Sequence, residues 1–496
     1  MWKWSFGLSL VLITGSANAS SLEDPNMLIS LSAVEAAAKI KSGEITSEAL
    51  VTALLARSKE RQSLNAYISL DEERALRLAR EADAKVREGG NLGPLHGVPL
   101  AAKDNIEVVG LPNTAGTPAL REYRPRTNAP VIEPLLAAGA IIIGKANMHE
   151  LAYGITSNNE AFGAVGNPYA PTTFAGGSSG GTAAAVSGRL VPAGLGTDTG
   201  GSVRIPAGLT GIFGFRPSID RYPKGGITPI STTRDTAGPM ARTVADLILL
   251  DAVITGGDHE LAAKDLSGLR FGVPRRFFYD NLDGETATVI EAALTKLQAA
   301  GAVLIEVDMA DFSAPLAGSS TPIAMSEFFQ ELPEYLKRTE PPVDFDDLVA
   351  QVASPDVQGI INGTIAEGGI PAEVYRDAIT VHRPALQQIY ADYFKEHQVV
   401  GILFPTTLLP ARPIAGSHDT VELNGEQVPT FRSYARNTDP GSTAGIPGLS
   451  VPVGLTGGGL PVGLELDGPA GSDRDVLAVG LALEKLYFGS TLPVPD

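Results

Sequence analysis

Apolar positions follow a helical period at the start of the chain. Ser32 and Glu35 form an S-x-x-E capping box that opens a helix running to about Ser42, where Gly43 stops it. Thr46 is placed to cap a second helix. A third is predicted over about residues 71–87, with Ala75, Ala79, Ala82 and Val86 on one stripe. These helices read as an outer layer. The pattern then shifts. PLHGVPLAAKDNI (94–106) holds a short apolar strand ending at Lys103-Asp104, residues 130–138 read as a helix closed by Gly139, and GAIIIGKAN (139–147) is a continuous apolar run of the kind buried in a sheet. Strand, helix and strand joined by short connections make a βαβ unit of an α/β fold. The same order recurs in LRFGVP, a helix over about 285–299, and AVLIEVD. Residues 311–400 are helical, irregular and contain aromatics. GILFPTT, GLSVPVGL and LPVGLEL return to strands, and a last helix covers about 473–486. No repeat, low-complexity linker or domain boundary interrupts residues 20–496, which read as one domain.

Composition narrows the class. Of 496 residues, 44% are hydrophobic and 19% charged, an ordinary globular balance. The 55 glycines and 36 prolines suit a sheet protein with elaborate loops better than a helical bundle. A formal net charge of −18 argues against a nucleic-acid partner, because phosphate contacts need a basic surface. Without cysteine there is no disulfide, thiol nucleophile or thiolate metal site. The histidines (His96, His149, His259, His382, His397, His418) include no H-x-x-x-H or H-E-x-x-H pair, so neither a metal nor a cofactor is expected. The opening MWKWSFGLSLVLITGSANAS has Lys3, a short apolar run and an A-x-A cleavage site ending at Ala19. Residues 1–19 are expected to be a signal peptide, which points to a periplasmic or secreted protein. An uncut N-terminal anchor is the alternative, although the apolar run is too short to span a bilayer.

The candidate chemistry lies in FAGGSSGGTAAAVSGRLVPAGLGTDTGGSVRIPA (174–207), where hydroxyls stand among glycines. A phosphate loop would need G-x-x-x-x-G-K-[ST], and no lysine occurs in this stretch. Residues 176–180 do match the G-x-S-x-G of an α/β-hydrolase elbow, but NPYAPTTFA before them does not read as the strand that motif requires. The third reading takes Ser202, after Gly200-Gly201, as a nucleophile beside bare backbone N–H groups that can bind an oxyanion. A serine nucleophile needs a base. With no histidine nearby, Lys103 at the end of a buried-looking strand is the best candidate, since burial strips the proton from a lysine.

Taken together and in this order, PLHGVPLAAKDNI, AGGSSGGTAAAV and GLGTDTGGSVRIPA resemble the signature blocks of the amidase signature family. KANMHELAYG, ITPISTTRDTAGPMARTVADL and GLPVGLELDGPAGSD extend the resemblance over about residues 31–486, with 311–400 matching only loosely. The resemblance implies one large mixed β-sheet covered by α-helices. It also implies a Ser–cis-Ser–Lys triad: Lys103 as base, Ser178 as the bridging serine preceded by a cis peptide, and Ser202 as the acyl-forming nucleophile. The oxyanion donors would be the backbone N–H groups of Thr199, Gly200, Gly201 and Ser202. Ser179 is expected to be structural, Asp198 and Arg204 to brace the loop, Asp104 to orient the Lys103 loop, and His149 to be packed rather than reactive.

Within that family the chain is most similar to mandelamide and indoleacetamide hydrolases, on RPSIDRYPKGGITPISTTRDTAGP and RNTDPGSTAGIPGLSVPVGL. This implies hydrolysis of an aryl-acetamide to carboxylate and ammonia. C-terminal peptide amides are the alternative substrate class, and a silent binding protein on the same fold is the non-enzymatic one. The expected partner is a small-molecule amide, with no membrane contact once the leader is cut. A homodimer is compatible with the sequence without being specified by it. Phe328, Phe329 and Tyr335 are as compatible with core as with pocket walls.

Overall fold

Local rules shape the entry into the fold. Ser32 Oγ accepts the Glu35 N–H while the Glu35 carboxylate accepts the Ser32 N–H, and the helix Ala33–Ser42 ends at Gly43 with φ of 72°. Thr46 and Asp71 cap the helices Ser47–Glu60 and Glu72–Arg87. Asp83 on the second of these accepts the Ser47 and Glu48 amides of the first, at 2.7 and 3.0 Å. The computed structural model describes Met1 and residues 24–339 and 343–487. The leader expected over 1–19 therefore lies, Met1 apart, outside the described residues.

The strands in chain order are β1 (Tyr67–Leu70), β2 (Pro99–Lys103), β3 (Ile141–Ala146), β4 (Gly166–Asn167), β5 (Ala170–Phe174), β6 (Ala193–Asp198), β7 (Phe213–Arg216) and β8 (Thr236–Ala241). They continue as β9 (Arg270–Gly272), β10 (Val303–Ile305), β11 (Gly401–Pro405), β12 (Thr420–Leu423), β13 (Glu426–Pro429), β14 (Gly448–Leu455) and β15 (Pro461–Asp467). Among the described residues, eleven of these form one sheet in the order β1-β3-β2-β6-β8-β7-β14-β15-β11-β9-β10. Strands β3, β2 and β6 are parallel neighbours, as are β11, β9 and β10. These two units are the βαβ patterns of the sequence, and antiparallel strands join them. No helix among the described residues is long and apolar enough to cross a membrane.

Two elements depart from the expectation. The helix expected over 130–138 is confined to Glu133–Ala137, because Pro134 lacks an N–H and settles in the first turn. The helix Val244–Thr255 has no amphipathic period to betray it: Val244, Leu247, Ile248, Leu249, Leu250 and Ala252 are all buried.

Alternation along β2 sends Leu100 and Ala102 into the apolar cluster on one face of the sheet and Ala101 into the cluster on the other. Lys103 follows Ala101 to that second face, where the fully buried helix Gly180–Ser187 lies. Glycine permits this close approach. A Cβ at Gly181 would collide with the Asn147 and Ala66 backbone, and one at Gly196 would stand 2.7 Å from Ser179 Oγ. The helix antiparallel to β2 and β6 thus brings its N-terminus, with Ser178 and Ser179, to their C-terminal ends. The helix Ser313–Leu336 buries Phe328, Leu332 and Tyr335 in one cluster with Met148, Leu151 and Tyr153.

Gly181→Ala should cost about 1–3 kcal/mol, because backbone cannot yield as a side chain can. Gly359→Ala, in the helix Pro355–Ala366 with open space around it, should instead gain about 0.5–1 kcal/mol. Urea unfolding of the two variants checks both signs.

Candidate active site

Lys103 closes β2 and is fully buried. Its Nζ lies 2.7 Å from both Ser178 Oγ and Thr197 Oγ1, and Asn105 Nδ2 donates to the same Thr197 oxygen at 3.0 Å. Burial pushes the ammonium pKa down to about 7, against the pull of the Asp198 and Asp235 carboxylates. Asp104 does not serve Lys103. It pairs with a second buried lysine, Lys145, at 3.1 Å, and accepts the Thr114 N–H and hydroxyl. Lys145 also donates to Pro112 O and Asn113 Oδ1, both at 2.9 Å.

Ser178 follows a cis peptide bond with Gly177, and its carbonyl accepts the His149 N–H at 3.1 Å. Ser179 is a strap: its Oγ donates to Thr197 O at 3.1 Å and accepts the Thr197 N–H at 3.2 Å. The Ser179 N–H donates to Ser202 O at 3.2 Å, which ties the two glycine-rich segments together. Ser178 is fully buried, whereas Ser202 keeps 7% of its surface exposed and is the member open to a substrate. The structure brings Lys103 and Ser178 into direct contact and joins Ser202 to them through the backbone.

The loop carrying Ser202 is braced by buried charge. Asp198 accepts from Arg204 Nε at 3.1 Å, Arg216 Nη1 at 2.8 Å, the Gly201 N–H at 2.8 Å and the Val203 N–H at 3.2 Å. Burial alone would raise the Asp198 pKa, but the two guanidiniums hold it well below the carboxylate range. Arg204 reaches on to Glu465 at 3.0 Å, Asp467 at 3.5 Å, and Ser442 Oγ at 2.6 Å. Of the four amides expected to face an oxyanion, the Gly201 N–H thus donates to Asp198. Among the described residues, the Thr199, Gly200 and Ser202 amides donate to no protein acceptor.

Several supports were invisible to motif reading. Thr199 Oγ1 donates to Asp235 at 2.5 Å, Arg234 Nε to Thr199 O at 3.2 Å, and Thr438 Oγ1 to Gly200 O at 2.7 Å. His149 is buried as expected, yet its Nε2 stands 3.1 Å from Asp356 Oδ2 on the helix Pro355–Ala366. The next residue, Glu150, accepts the Ala353 N–H at 3.1 Å and the Ser354 N–H at 2.8 Å. Phe328 and Tyr335 prove to be core, while Phe329 lines a cavity of about 230 Å³ with Met325, Ser326 and Tyr375. The elbow reading gives way as well. A strand does precede Ser178, but β5 pairs with β4 and bridges through Thr173 to Pro413, outside the main sheet, and the Ser178 hydroxyl meets a lysine instead of a histidine. Among the described residues, no group of three or more acidic or histidine side chains is placed to hold a metal.

A weakly basic buried amine on a serine hydroxyl, beside a second serine and free amides, is equipment for acyl transfer. Comparisons with known proteins point the same way. The family model described as Amidase matches residues 49–477. Indoleacetamide hydrolase of Agrobacterium vitis is 45% identical over 445 residues, covering 90% of this chain and 94% of the relative. Mandelamide hydrolase of Pseudomonas putida is 43% identical over 488 residues, covering 95% and 94%. A crystal structure of an amidase superposes with a TM-score of 0.82 at 35% identity, covering 92% of this chain and 99% of that one. The native peptide amidase of Stenotrophomonas maltophilia gives 0.77 at 29%, covering 94% and 98%. The chain belongs to the amidase family and is an amide-hydrolysing enzyme.

Proposed function

We propose that this enzyme hydrolyses the primary amide of an aryl-substituted acetamide, giving the carboxylate and ammonia through an ester on Ser202. The observation that carries the reading is the Lys103 amine, sealed from water, 2.7 Å from the Ser178 hydroxyl. Neutral Lys103 takes the Ser178 proton as Ser178 takes that of Ser202, and Ser202 Oγ attacks the amide carbonyl. The Thr199, Gly200 and Ser202 amides receive the oxyanion. Ser178 returns a proton to the departing nitrogen, and water cleaves the ester by the same relay. The aryl-acetamide class is supported by the two hydrolases above, whose names specify indoleacetamide and mandelamide. The likeness to a peptide amidase keeps C-terminal peptide amides as the second class. On the strength of residues 1–19, we place the reaction in the periplasm or outside the cell.

Ammonia release from indoleacetamide, mandelamide and a peptide amide, with wild type beside variants, tests this. Ser202→Ala should lose at least about 10⁴-fold in kcat, and Ser178→Ala about 10³-fold. Faster turnover of the peptide amide than of both aryl amides would transfer the assignment to the second class.

The base must be uncharged, so kcat/KM should climb as pH rises through about 7 and level off above it. A flat profile from pH 5.5 to 9 would exclude Lys103 as the base. Linkage gives a companion result. Between about pH 7 and the ordinary lysine value of 10.5 the unfolded chain binds the extra proton, so this group's contribution to stability rises with pH across that window. Lys103→Met should therefore be inactive yet melt above the wild type. That gain should be greatest below pH 7 and shrink towards pH 10, as read by calorimetry over a pH series.

A further inference from the structure

Thr199 C=O and Gly200 N–H belong to one planar trans peptide, so whatever fixes the carbonyl fixes where the N–H points. The next plane is held at both ends, by Thr438 Oγ1 on Gly200 O and by Asp198 on the Gly201 N–H. The Thr199–Gly200 plane is held only at its carbonyl, by Arg234 Nε at 3.2 Å. A glycine follows it, with no side chain to restrain rotation. Arg234 is itself immobilised. It is 3% exposed, Nη1 donates to Ser320 O and Oγ at 2.9 and 3.0 Å on the helix Ser313–Leu336, and Nη2 pairs with Asp439. The adjacent Asp235 holds the Thr199 hydroxyl and accepts the Ile230 and Ser231 amides at 2.8 and 2.9 Å.

We infer that Arg234 is a positioning residue that aims the Gly200 N–H at the oxyanion, with the helix Ser313–Leu336 and Asp439 as its fixed frame. The inference rests on the acyl-Ser202 reading. It assigns Arg234 no contact with the substrate: the guanidinium acts through a peptide plane, and its planar fork reaches four acceptor atoms on three residues, Thr199, Ser320 and Asp439, that a lysine ammonium cannot span together.

The test uses Arg234→Ala and Arg234→Lys in the full chain, with three readouts: kcat and KM for indoleacetamide, the rate of Ser202 labelling by a fluorophosphonate, and rescue by dilute guanidinium. The phosphonyl oxygen of the label occupies the same position as the oxyanion. Losing one such donor should cost about 10²–10³-fold in kcat. KM should stay within about threefold, labelling should slow in parallel with kcat, and guanidinium should restore about tenfold in Arg234→Ala. Arg234→Lys, which keeps the charge and carries the test if the alanine variant fails to fold, should show the same kcat loss. Wild-type labelling and kcat in either folded variant would overturn the inference alone. So would a rise in KM at constant kcat, or a loss that follows the unfolded fraction and resists rescue. Failure of the wild type to label at Ser202 would instead overturn the acyl-Ser202 reading, and this inference with it.

Discussion

A lysine amine removed from water holds its proton weakly unless a carboxylate restores it, and around Lys103 every carboxylate within reach is committed elsewhere. Asp104, next in the chain, turns to Lys145. Asp198 is saturated by Arg204, Arg216 and two amides. Asp235 is occupied by the Thr199 hydroxyl and backbone N–H groups. What touches Lys103 Nζ is a pair of hydroxyls, at 2.7 Å each. Were Asp104 rotated towards it, the ion pair would pull the lysine back towards its charged form, and the amine would cease to be a base at neutral pH. The one acid that the sequence sets beside Lys103 is thus paired with the second buried lysine instead.

The same economy explains why so much charge is sealed behind the loop that carries Ser202. A loop built as TDTGGS has almost no side-chain surface to pack, so apolar contacts cannot fix it. Charge-assisted hydrogen bonds can. Arg204 and Arg216 converge on Asp198 from a helix and a neighbouring strand, while Glu465 and Asp467, two residues apart on one face of β15, hold Arg204 from behind. Burying such groups is costly, and the arrangement is tolerable only because the partners are mutual; removing one would strand the others.

The split between what the sequence shows and what it hides follows distance along the chain. Helix caps such as Ser32 and Glu35, the two βαβ units, and the serines and lysine of the signature blocks are local patterns, legible in a few residues. The brace is not. Arg204 meets Glu465 and Ser442 across more than two hundred residues, and no spacing rule reaches that far. The strand β5 was hidden by Pro171 within it and Pro168 just before it, which a strand outside the main sheet tolerates where a central strand would not. The helix Val244–Thr255 was hidden because its apolar residues follow no helical period. The inequivalence of the four amides expected to bind an oxyanion was hidden for a subtler reason. Four consecutive amides look equivalent in sequence, and only the placement of the Asp198 side chain shows that one of them is already bonded.

That committed amide changes how the loop should be understood. An oxyanion site works by having its donors aimed before charge develops, so that no reorganisation is needed during reaction. Two glycines in succession oppose this, since each adds torsional freedom that must be removed. Here the Gly200–Gly201 peptide is pinned through its carbonyl by Thr438 and through its N–H by Asp198. Its own amide is given up, and the plane becomes a rigid post between Gly200 and Ser202. Gly201, at φ of 126°, turns the chain in a region that side chains rarely adopt, and a Cβ there would collide with the Thr438 side chain. Glycine at 201 is thus required by the turn and by Thr438, not by a need to expose its N–H. The Gly200–Gly201 plane is thus fixed at both ends, while the Gly200 amide before it takes its direction from the Thr199 carbonyl held by Arg234.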